Sequence, residues 1–259
     1  MNILNEIARR TKERVAAQKK IHSPEEIMAE ARNAASFGFP FEKALRSADV
    51  AFICEIKKAS PSKGIIAENF PYLEIAQDYE AAGAEAISVL TEPFYFQGND
   101  QYLREIADAV SIPLLRKDFT VDAYMIYEAK LLGASAVLLI CSILDSRTLA
   151  EYIDIAHSLG LSALVETHDE HEVEMALHAG ARIIGVNNRN LKTFEIDMTL
   201  SQRLKKLVPP EVIFVAESGI TTPADIDSLR KIGADAALIG ESIMKSDDKK
   251  VAITWLRGG

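Results

Sequence analysis

The chain has 259 residues, a formal net charge of −9 at pH 7, and 48% hydrophobic and 26% charged residues. This composition is typical of a globular enzyme, whereas a nucleic-acid-binding protein usually carries a basic excess on one face. No apolar run approaches the roughly 18 residues of a membrane span, and the charged, helical start MNILNEIARRTKERV is unlike a signal peptide. We therefore expect a cytoplasmic protein that binds neither nucleic acid nor membrane.

The chain has only two cysteines, Cys54 and Cys141, and each falls inside a predicted strand. Two cysteines are too few for a disulfide framework or a cysteine-based metal site. We expect both to be buried, small apolar residues in a reducing compartment.

Residues 1–49 precede the first predicted strand and are predicted to be helical. One face of a first helix is marked by Ile3, Leu4, Ile7 and Val15. A second helix begins after Ser23, the predicted N-cap, and Glu26 completes a capping box. A phenylalanine-rich stretch, 37–41, then leads into a short segment around Leu45.

Eight short apolar segments follow, typical of parallel strands buried on both faces. They are 50–56, 85–90, 112–117, 135–141, 162–166, 182–187, 212–217 and 235–239. Helical periodicity fills the intervals at 71–82, 99–109, 122–132, 145–159, 169–179, 199–207 and 222–232. Eight βα units in series favour a closed barrel over a doubly wound sheet, and no Gly-x-Gly-x-x-Gly of a dinucleotide fold follows the first strand. We predict an α/β fold, a (β/α)8 TIM barrel forming one domain over 1–259, with 1–49 as an N-terminal helical extension.

A Gly-Ala pair recurs just before four of the predicted strands. The pairs begin at Gly83, Gly133, Gly180 and Gly233. Glycine at this place can end a helix in a left-handed conformation and turn the chain into the next strand.

Most predicted strands end in a charged or amide residue, although charge buried there costs free energy unless it is paired. In an α/β barrel this end carries the catalytic loops. Strand alternation puts six such residues on the inward face, namely Glu55, Lys57, Lys117, Glu166, Asn187 and Glu217. We predict that they converge as a site with both proton donors and acceptors; the alternative is a structural salt-bridge network.

Two glycine-containing loops predict a phosphate site. Residues 218–220 follow the seventh strand and residues 239–242 the eighth, where backbone N–H groups of barrels often bind phosphate. Two ordinary turns are the alternative. The basic loop 57–64 after the first strand is predicted to be a mobile cover that brings Lys57 and Ser60 to a substrate.

Three histidines, His168, His171 and His178, lie near or on the helix predicted after the fifth strand. Their spacing does not match the His-Glu-x-x-His pattern of a helical metal site. We expect surface or capping histidines and no metal site.

Eight segments together resemble the indole-3-glycerol phosphate synthase family. They are EIKKASPSKG (55–64), LTEP (90–93), FYFQG (94–98), LRKDF (115–119), LVE (164–166), GVNNRNL (185–191), VAESGI (215–220) and IGES (239–242). The resemblance covers essentially the whole chain, including the N-terminal helices. The chain length predicts an unfused enzyme, and we expect a monomer or weak oligomer.

The resemblance implies a carboxy-lyase of tryptophan biosynthesis that uses no cofactor or metal. Its substrate would be the phosphorylated, anthranilate-derived 1-(o-carboxyphenylamino)-1-deoxyribulose 5-phosphate, whose indole ring closes with loss of carbon dioxide and water. Lys117 is implied as the general acid at the carbonyl oxygen. Glu166 is implied as a general base or as a stabiliser of the cationic intermediate, and Lys57 as the acid that helps hydroxide leave.

Supporting roles are implied for the remaining residues. The resemblance implies that four residues orient these catalytic groups and bind substrate hydroxyls, namely Glu55, Asn187, Glu217 and Ser218. Holding the phosphate is implied for Ser60, Gly219, Gly240 and the backbone N–H of Glu241, with Arg189 as support. Apolar walls for the aromatic ring are expected from Phe94, Phe96, Phe119 and Leu138 or Ile140. The alternatives are a ketose isomerase, a Schiff-base aldolase with a nucleophilic lysine and a non-catalytic phosphate-binding barrel.

Overall fold

Eight parallel strands close into a barrel, as the sequence predicted, and their ends agree with the predicted ends to within two residues. The computed structural model describes residues 3–36, 38–190 and 193–259, so Phe37 and Leu191, which lie in two of the segments above, are outside the described residues. The strands are β1 (Ala51–Ile56), β2 (Ala86–Leu90), β3 (Leu114–Lys117), β4 (Ala136–Ile140), β5 (Ser162–Thr167), β6 (Ile183–Asn187), β7 (Ile213–Glu217) and β8 (Ala236–Ile239). Each pairs with its neighbour in sequence, and β8 pairs with β1.

Helices alternate with the strands and also precede them. They are α1 (Ile3–Gln18), α2 (Pro24–Asn33), α3 (Pro40–Leu45), α4 (Tyr72–Ala81), α5 (Asp100–Ala109), α6 (Tyr124–Leu131), α7 (Ser146–Ser158), α8 (Glu170–His178), α9 (Thr199–Leu204), α10 (Pro223–Lys231), α11 (Glu241–Met244) and α12 (Lys249–Leu256). The predicted capping box of α2 is confirmed, because the Ser23 hydroxyl accepts from the Glu26 N–H and the Glu26 carboxylate accepts from the Ser23 N–H. No helix in the described ranges is long and apolar enough to cross a membrane.

Strand alternation divides the apolar core into two parts. Outward-facing side chains such as Phe52 and Val165 pack against the surrounding helices. Inward-facing side chains such as Ile53, Leu115 and Leu164 fill the barrel interior below the polar strand ends. The polar residues predicted to point inward therefore stand on top of a packed apolar floor.

The N-terminal helices close both ends of the barrel. Leu4 and Ile7 of α1 are buried in the cluster that fills the barrel and line the cavity at its carboxyl end. Helix α2 then packs along the outside against α6. Phe41 and Leu45 of α3 are fully buried at the opposite end, where α3 contacts β1 and β2.

Left-handed glycines precede the strands at all four Gly-Ala pairs, with φ between 72° and 86°. At Gly83 the N–H bonds the carbonyl of Glu80, and the next N–H, of Ala84, bonds that of Tyr79. These bonds end α4 and direct the chain into β2, as predicted.

The two cysteines are buried free thiols. Cys54 lies in β1 as predicted, but Cys141 opens a short 3-10 turn immediately after β4, so its assignment to a strand was wrong by one residue. Burial raises the pKa of both thiols, which makes them poor nucleophiles.

A buried arginine links β3 to two outer helices. Arg116 points away from the barrel axis and its side chain is 2% exposed. Its guanidinium contacts Asp100 of α5 at 2.6 Å and Glu128 of α6 at 2.7 Å, and it donates to the carbonyl of Met125. Burial raises the pKa of Glu128 even beside this cation, so removing the arginine would leave this largely buried carboxylate without the cation that it contacts.

We expect Arg116→Met to lower the free energy of unfolding at pH 7 by about 3 to 5 kcal/mol, because removing one partner of a buried ion pair leaves the opposite charge without compensation. The loss should shrink toward pH 5, because Glu128, whose pKa burial raises, then takes up a proton. Urea unfolding at both pH values measures this. Arg9→Met, which removes an exposed cation of α1, is the control and should leave the midpoint unchanged; an equal effect of both variants would contradict the expectation.

Candidate active site

The candidate site is a cavity of about 520 Å³ at the carboxyl end of the barrel. Every residue proposed from the sequence for catalysis, for orienting groups and binding substrate hydroxyls or for holding the phosphate lines it. These are Glu55, Lys57, Ser60, Lys117, Glu166, Asn187, Arg189, Glu217, Ser218, Gly219, Gly240 and Glu241. The structure therefore brings together residues from β1, β3, β5, β6, β7 and the loop after β8.

Lys117 is the central cation of the cavity. Its Nζ lies 3.0 Å from Glu166 Oε2 and 2.8 Å from Glu217 Oε2. The side chains of both glutamates are no more than 4% exposed, and that of Lys117 is 13% exposed. A second ion pair, between Lys57 and Glu55, stands at the end of β1 in the same cavity.

Burial and the neighbouring charges shift the pKa values of Lys117, Glu166 and Glu217, and those of the two glutamates move in opposite directions. Burial alone would lower the pKa of Lys117, but the negative charges of Glu217 and Glu166 outweigh it and raise that pKa. Burial also acts to raise the pKa of Glu166, yet Lys117 holds it below its usual range. One ammonium cannot hold both carboxylates ionised, and burial together with Glu166 raises the pKa of Glu217 to about 7.

The raised pKa keeps Lys117 as an ammonium at neutral pH. An ammonium can donate a proton, whereas Schiff-base formation needs a neutral amine. The site thus combines a buried acid, an ionised carboxylate and a second carboxylate that titrates near neutrality, which suits general acid–base chemistry better than covalent aldolase chemistry.

Two glycines allow the charged groups to approach the strands closely. A Cβ at Gly185 of β6 would lie 2.2 Å from Glu217 Oε1, and a Cβ at Gly240 would lie 2.6 Å from Glu55 Oε1. Any larger residue would displace these carboxylates from their lysines. The requirement for glycine at these two positions comes from packing between neighbouring strands.

The two loops predicted to hold phosphate both face the cavity. Ser218 and Gly219 have positive φ values of 65° and 84°, and they lead to α10, whose N-cap is Thr222. Gly240 immediately precedes α11, and Glu241 is the first residue of that helix. Backbone N–H groups at the start of a helix can bind an anion.

The loop after β1 is a small hairpin. Ala59–Ser60 pairs antiparallel with Gly64–Ile65, and the Ala59 N–H bonds the Phe96 carbonyl. Ser60 is 9% exposed, while the strand that it pairs with is exposed. The loop therefore has ordered structure that holds Ser60 at the cavity; its mobility stays a prediction.

The apolar walls differ in part from those expected. Phe96, Phe119, Leu138 and Ile140 line the cavity. Phe94 does not; it is 54% exposed and lies under the guanidinium of Arg10. Three further apolar side chains come from α1, namely Ile3, Leu4 and Ile7.

Sequence reasoning did not connect α1 with the site. Helix α1 is attached beside Lys117 by a buried ion pair, in which Arg14 Nη2 lies 2.7 Å from Asp118 Oδ2. The Thr91 hydroxyl donates to the same carboxylate oxygen at 2.6 Å. Asp118 follows Lys117 directly in the sequence. This second charged residue at the end of β3 was the signal that could have indicated an ion pair with another element.

One charged strand end serves a loop instead of the cavity. Glu92, which follows β2, is fully buried and accepts backbone N–H groups of Phe94, Tyr95 and Phe96. These N–H groups lie in a turn and not in a helix or strand, so the buried carboxylate takes the place of water as their hydrogen-bond acceptor.

The expectation for His168 was wrong. Its side chain is only 17% exposed, and its Nε2 lies 3.4 Å from Glu166 Oε1. The N-cap of α8 is Asp169, so His168 is not a capping residue. His171 and His178 are exposed, as expected. No group of three or more His, Cys, Asp or Glu side chains that could hold a metal occurs in the described part of the chain.

We expect Glu217 to make stability depend on pH. Because its folded pKa of about 7 exceeds the ordinary 4.5, the folded protein retains a proton that the unfolded chain loses, and stability falls as pH rises between these values. Relative to wild type, Glu217→Gln should gain on the order of 3 kcal/mol between pH 4.5 and pH 8. Urea unfolding across this range tests it.

The control is Glu151→Gln, at an exposed position of α7, whose difference from wild type should not vary with pH. A Glu217→Gln difference that is equally constant would contradict the raised pKa.

Comparisons with known proteins agree with the geometry. A family model described as indole-3-glycerol phosphate synthase matches residues 4–256. Among solved structures, 3-hexulose-6-phosphate synthase is similar with a TM-score of 0.63 and 16% identity, over 81% of this chain and 99% of that one. At that identity the likeness shows the fold alone.

Two curated proteins named indole-3-glycerol phosphate synthase are much more similar in sequence. The one from Ruminiclostridium cellulolyticum is 60% identical over 257 residues, 99% of either chain. The one from Lachnoclostridium phytofermentans is 50% identical and covers 98% of either chain. The chain therefore belongs to the indole-3-glycerol phosphate synthase family, whose members are carboxy-lyases of tryptophan biosynthesis.

Proposed function

We propose that this cavity converts 1-(o-carboxyphenylamino)-1-deoxyribulose 5-phosphate into indole-3-glycerol phosphate, with release of carbon dioxide and water. The observation that carries the proposal is the contact of Lys117 with both Glu166 and Glu217 on an apolar floor. Ring closure needs a proton at the carbonyl oxygen, and the later steps need both an acid and a base. Such groups stand within one cavity here.

Lys117 is the general acid of ring closure in this proposal. The aromatic carbon that bears the carboxylate attacks the carbonyl carbon, and the ammonium protonates the oxygen as its negative charge develops. A lysine with a raised pKa keeps its proton until an alkoxide, which is more basic, forms beside it. Loss of carbon dioxide then restores the aromatic ring.

Glu166 and Lys57 act in the dehydration that follows. Glu166, whose pKa is held low, remains a carboxylate that can accept a proton or stabilise the cationic intermediate. Lys57 donates a proton to the departing hydroxyl group, which leaves as water. Glu55 holds Lys57 through their ion pair, and Glu217 holds Lys117.

Binding of the substrate divides between the two sides of the cavity. The phosphate is held by Ser60, by the loop at Gly219 and by the backbone at Gly240 and Glu241, because its oxygens accept hydrogen bonds from hydroxyl and backbone N–H groups. Asn187, Arg189 and Ser218 bind and orient the hydroxyl-bearing chain. Phe96, Phe119 and Leu138 surround the aromatic ring.

We expect Lys117→Met to reduce kcat by about 10²- to 10⁴-fold, the usual contribution of a general acid. Lys117→Arg should lose a similar factor, because arginine retains the positive charge but does not give up its proton. The assay is the appearance of indole fluorescence after mixing with the anilino-deoxyribulose phosphate, with carbon dioxide release as a second readout.

The matched control is Lys231→Met, which removes an exposed lysine of α10 and should retain full activity. Circular dichroism confirms that each variant is folded. Activity of Lys117→Arg close to wild type would show that charge alone matters and would contradict the acid role. Folded wild type that forms no indole product would overturn the proposed function.

A further inference from the structure

His168 occupies the same strand face as Glu166, two residues further along the chain and just beyond β5. Its side chain enters from the adjoining polar cavity of about 1020 Å³, which is also lined by Ser142, Asp169 and Glu172. The imidazole therefore stands between Glu166 and that second cavity.

Glu172 holds His168 in place. From the first turn of α8, its Oε2 accepts the backbone N–H of His168 at 2.8 Å and contacts the ring Nδ1 at 3.1 Å. The Ser142 hydroxyl donates to Glu172 Oε1 at 2.6 Å and lies 3.3 Å from the same Nδ1. With Nδ1 engaged, Nε2 is directed at Glu166.

Nε2 has no hydrogen-bond partner among the described residues, although it is buried and lies 3.4 Å from Glu166 Oε1. The other carboxylate oxygen of Glu166, Oε2, contacts Lys117. Glu166 is thus flanked by a nitrogen on each side. A small movement of either side chain would align the His168 bond.

The charges around His168 favour its protonated form. Carboxylates face it from Glu166 of β5, Glu172 of α8 and Glu217 of β7. Lys117 contacts the other oxygen of Glu166, and Arg189 and Arg203 line the cavity that His168 also lines. Burial acts to lower the pKa of His168, but the Glu172 contact and the carboxylate charges raise it. In return, His168 follows Lys117 among the charges that lower the pKa of Glu166.

We propose that His168 is a positioning residue whose charged imidazole, held by Glu172 and Ser142, keeps the Glu166 carboxylate ionised and oriented during the reaction. The inference rests on the proposed function. Lys117 cannot both stabilise Glu166 and give its proton to the substrate. While Lys117 serves as the acid, His168 remains as the partner of the base.

The test is the pH dependence of kcat/KM for wild type and His168→Asn, an uncharged variant that retains an N–H donor. Losing a cation next to Glu166 raises the pKa of that carboxylate, so the acidic limb should move upward by about one pH unit. Activity should fall about tenfold at the foot of this limb and return toward wild type at alkaline pH. Glu172→Gln should shift the limb in the same direction by less.

The control is His178→Asn, at an exposed position at the end of α8, whose profile should superimpose on that of wild type. A purely structural tie between β5 and α8 would lower stability and reduce activity equally at all pH values, and that result would overturn the inference. Titration of the Glu166 carboxyl by ¹³C NMR in the folded protein provides a second readout that needs no turnover. A Glu166 titration that is unchanged in both His168→Asn and Glu172→Gln would likewise overturn the inference.

The outcomes separate this inference from the proposed function. Wild type that forms no product would defeat the function itself. Product formed by Glu166→Gln at the wild-type rate would defeat the base assignment. An active wild type, an inactive Glu166→Gln variant and an unshifted His168→Asn profile would defeat the role of His168 alone.

Discussion

The site depends on buried charge that is not fully neutralised. The ammonium of Lys117 contacts both Glu166 and Glu217, and all three side chains are largely buried above an apolar floor, so water screens their charges weakly. Because one cation cannot compensate two carboxylates, the pKa values of Glu166 and Glu217 separate although the residues are chemically identical. Glu166 stays ionised and Glu217 titrates near pH 7 because of where each side chain lies relative to Lys117 and to solvent.

The surrounding fold holds this arrangement together. Barrel closure places the carboxyl ends of β3, β5 and β7 around one axis. Glycine at Gly185 leaves room for the Glu217 carboxylate. The ion pair between Arg14 and Asp118 fastens α1 beside Lys117, so a helix outside the barrel completes the cavity wall. Stability and site geometry therefore share the same contacts.

Much of this could be predicted from sequence because the signals are local. Hydrophobic runs and glycine caps located the strands to within two residues, and strand alternation identified the inward face on which Lys117 and Glu166 lie. The errors were of another kind. Phe94 was assigned to the cavity and His168 to the surface, and in each case the side chain's environment is decided by segments distant in sequence.

The amino-acid sequence by itself determined the barrel, the identity of the charged strand ends and the family resemblance, since these follow from periodicity and residue type along the chain. Only the tertiary structure decided which charges meet. Lys117 and Glu217 are 100 positions apart, and His168 approaches Glu166 because Glu172 turns its ring. Distances, burial and the resulting pKa shifts are properties of that assembly, because electrostatic interaction depends on separation in space and on exclusion of water.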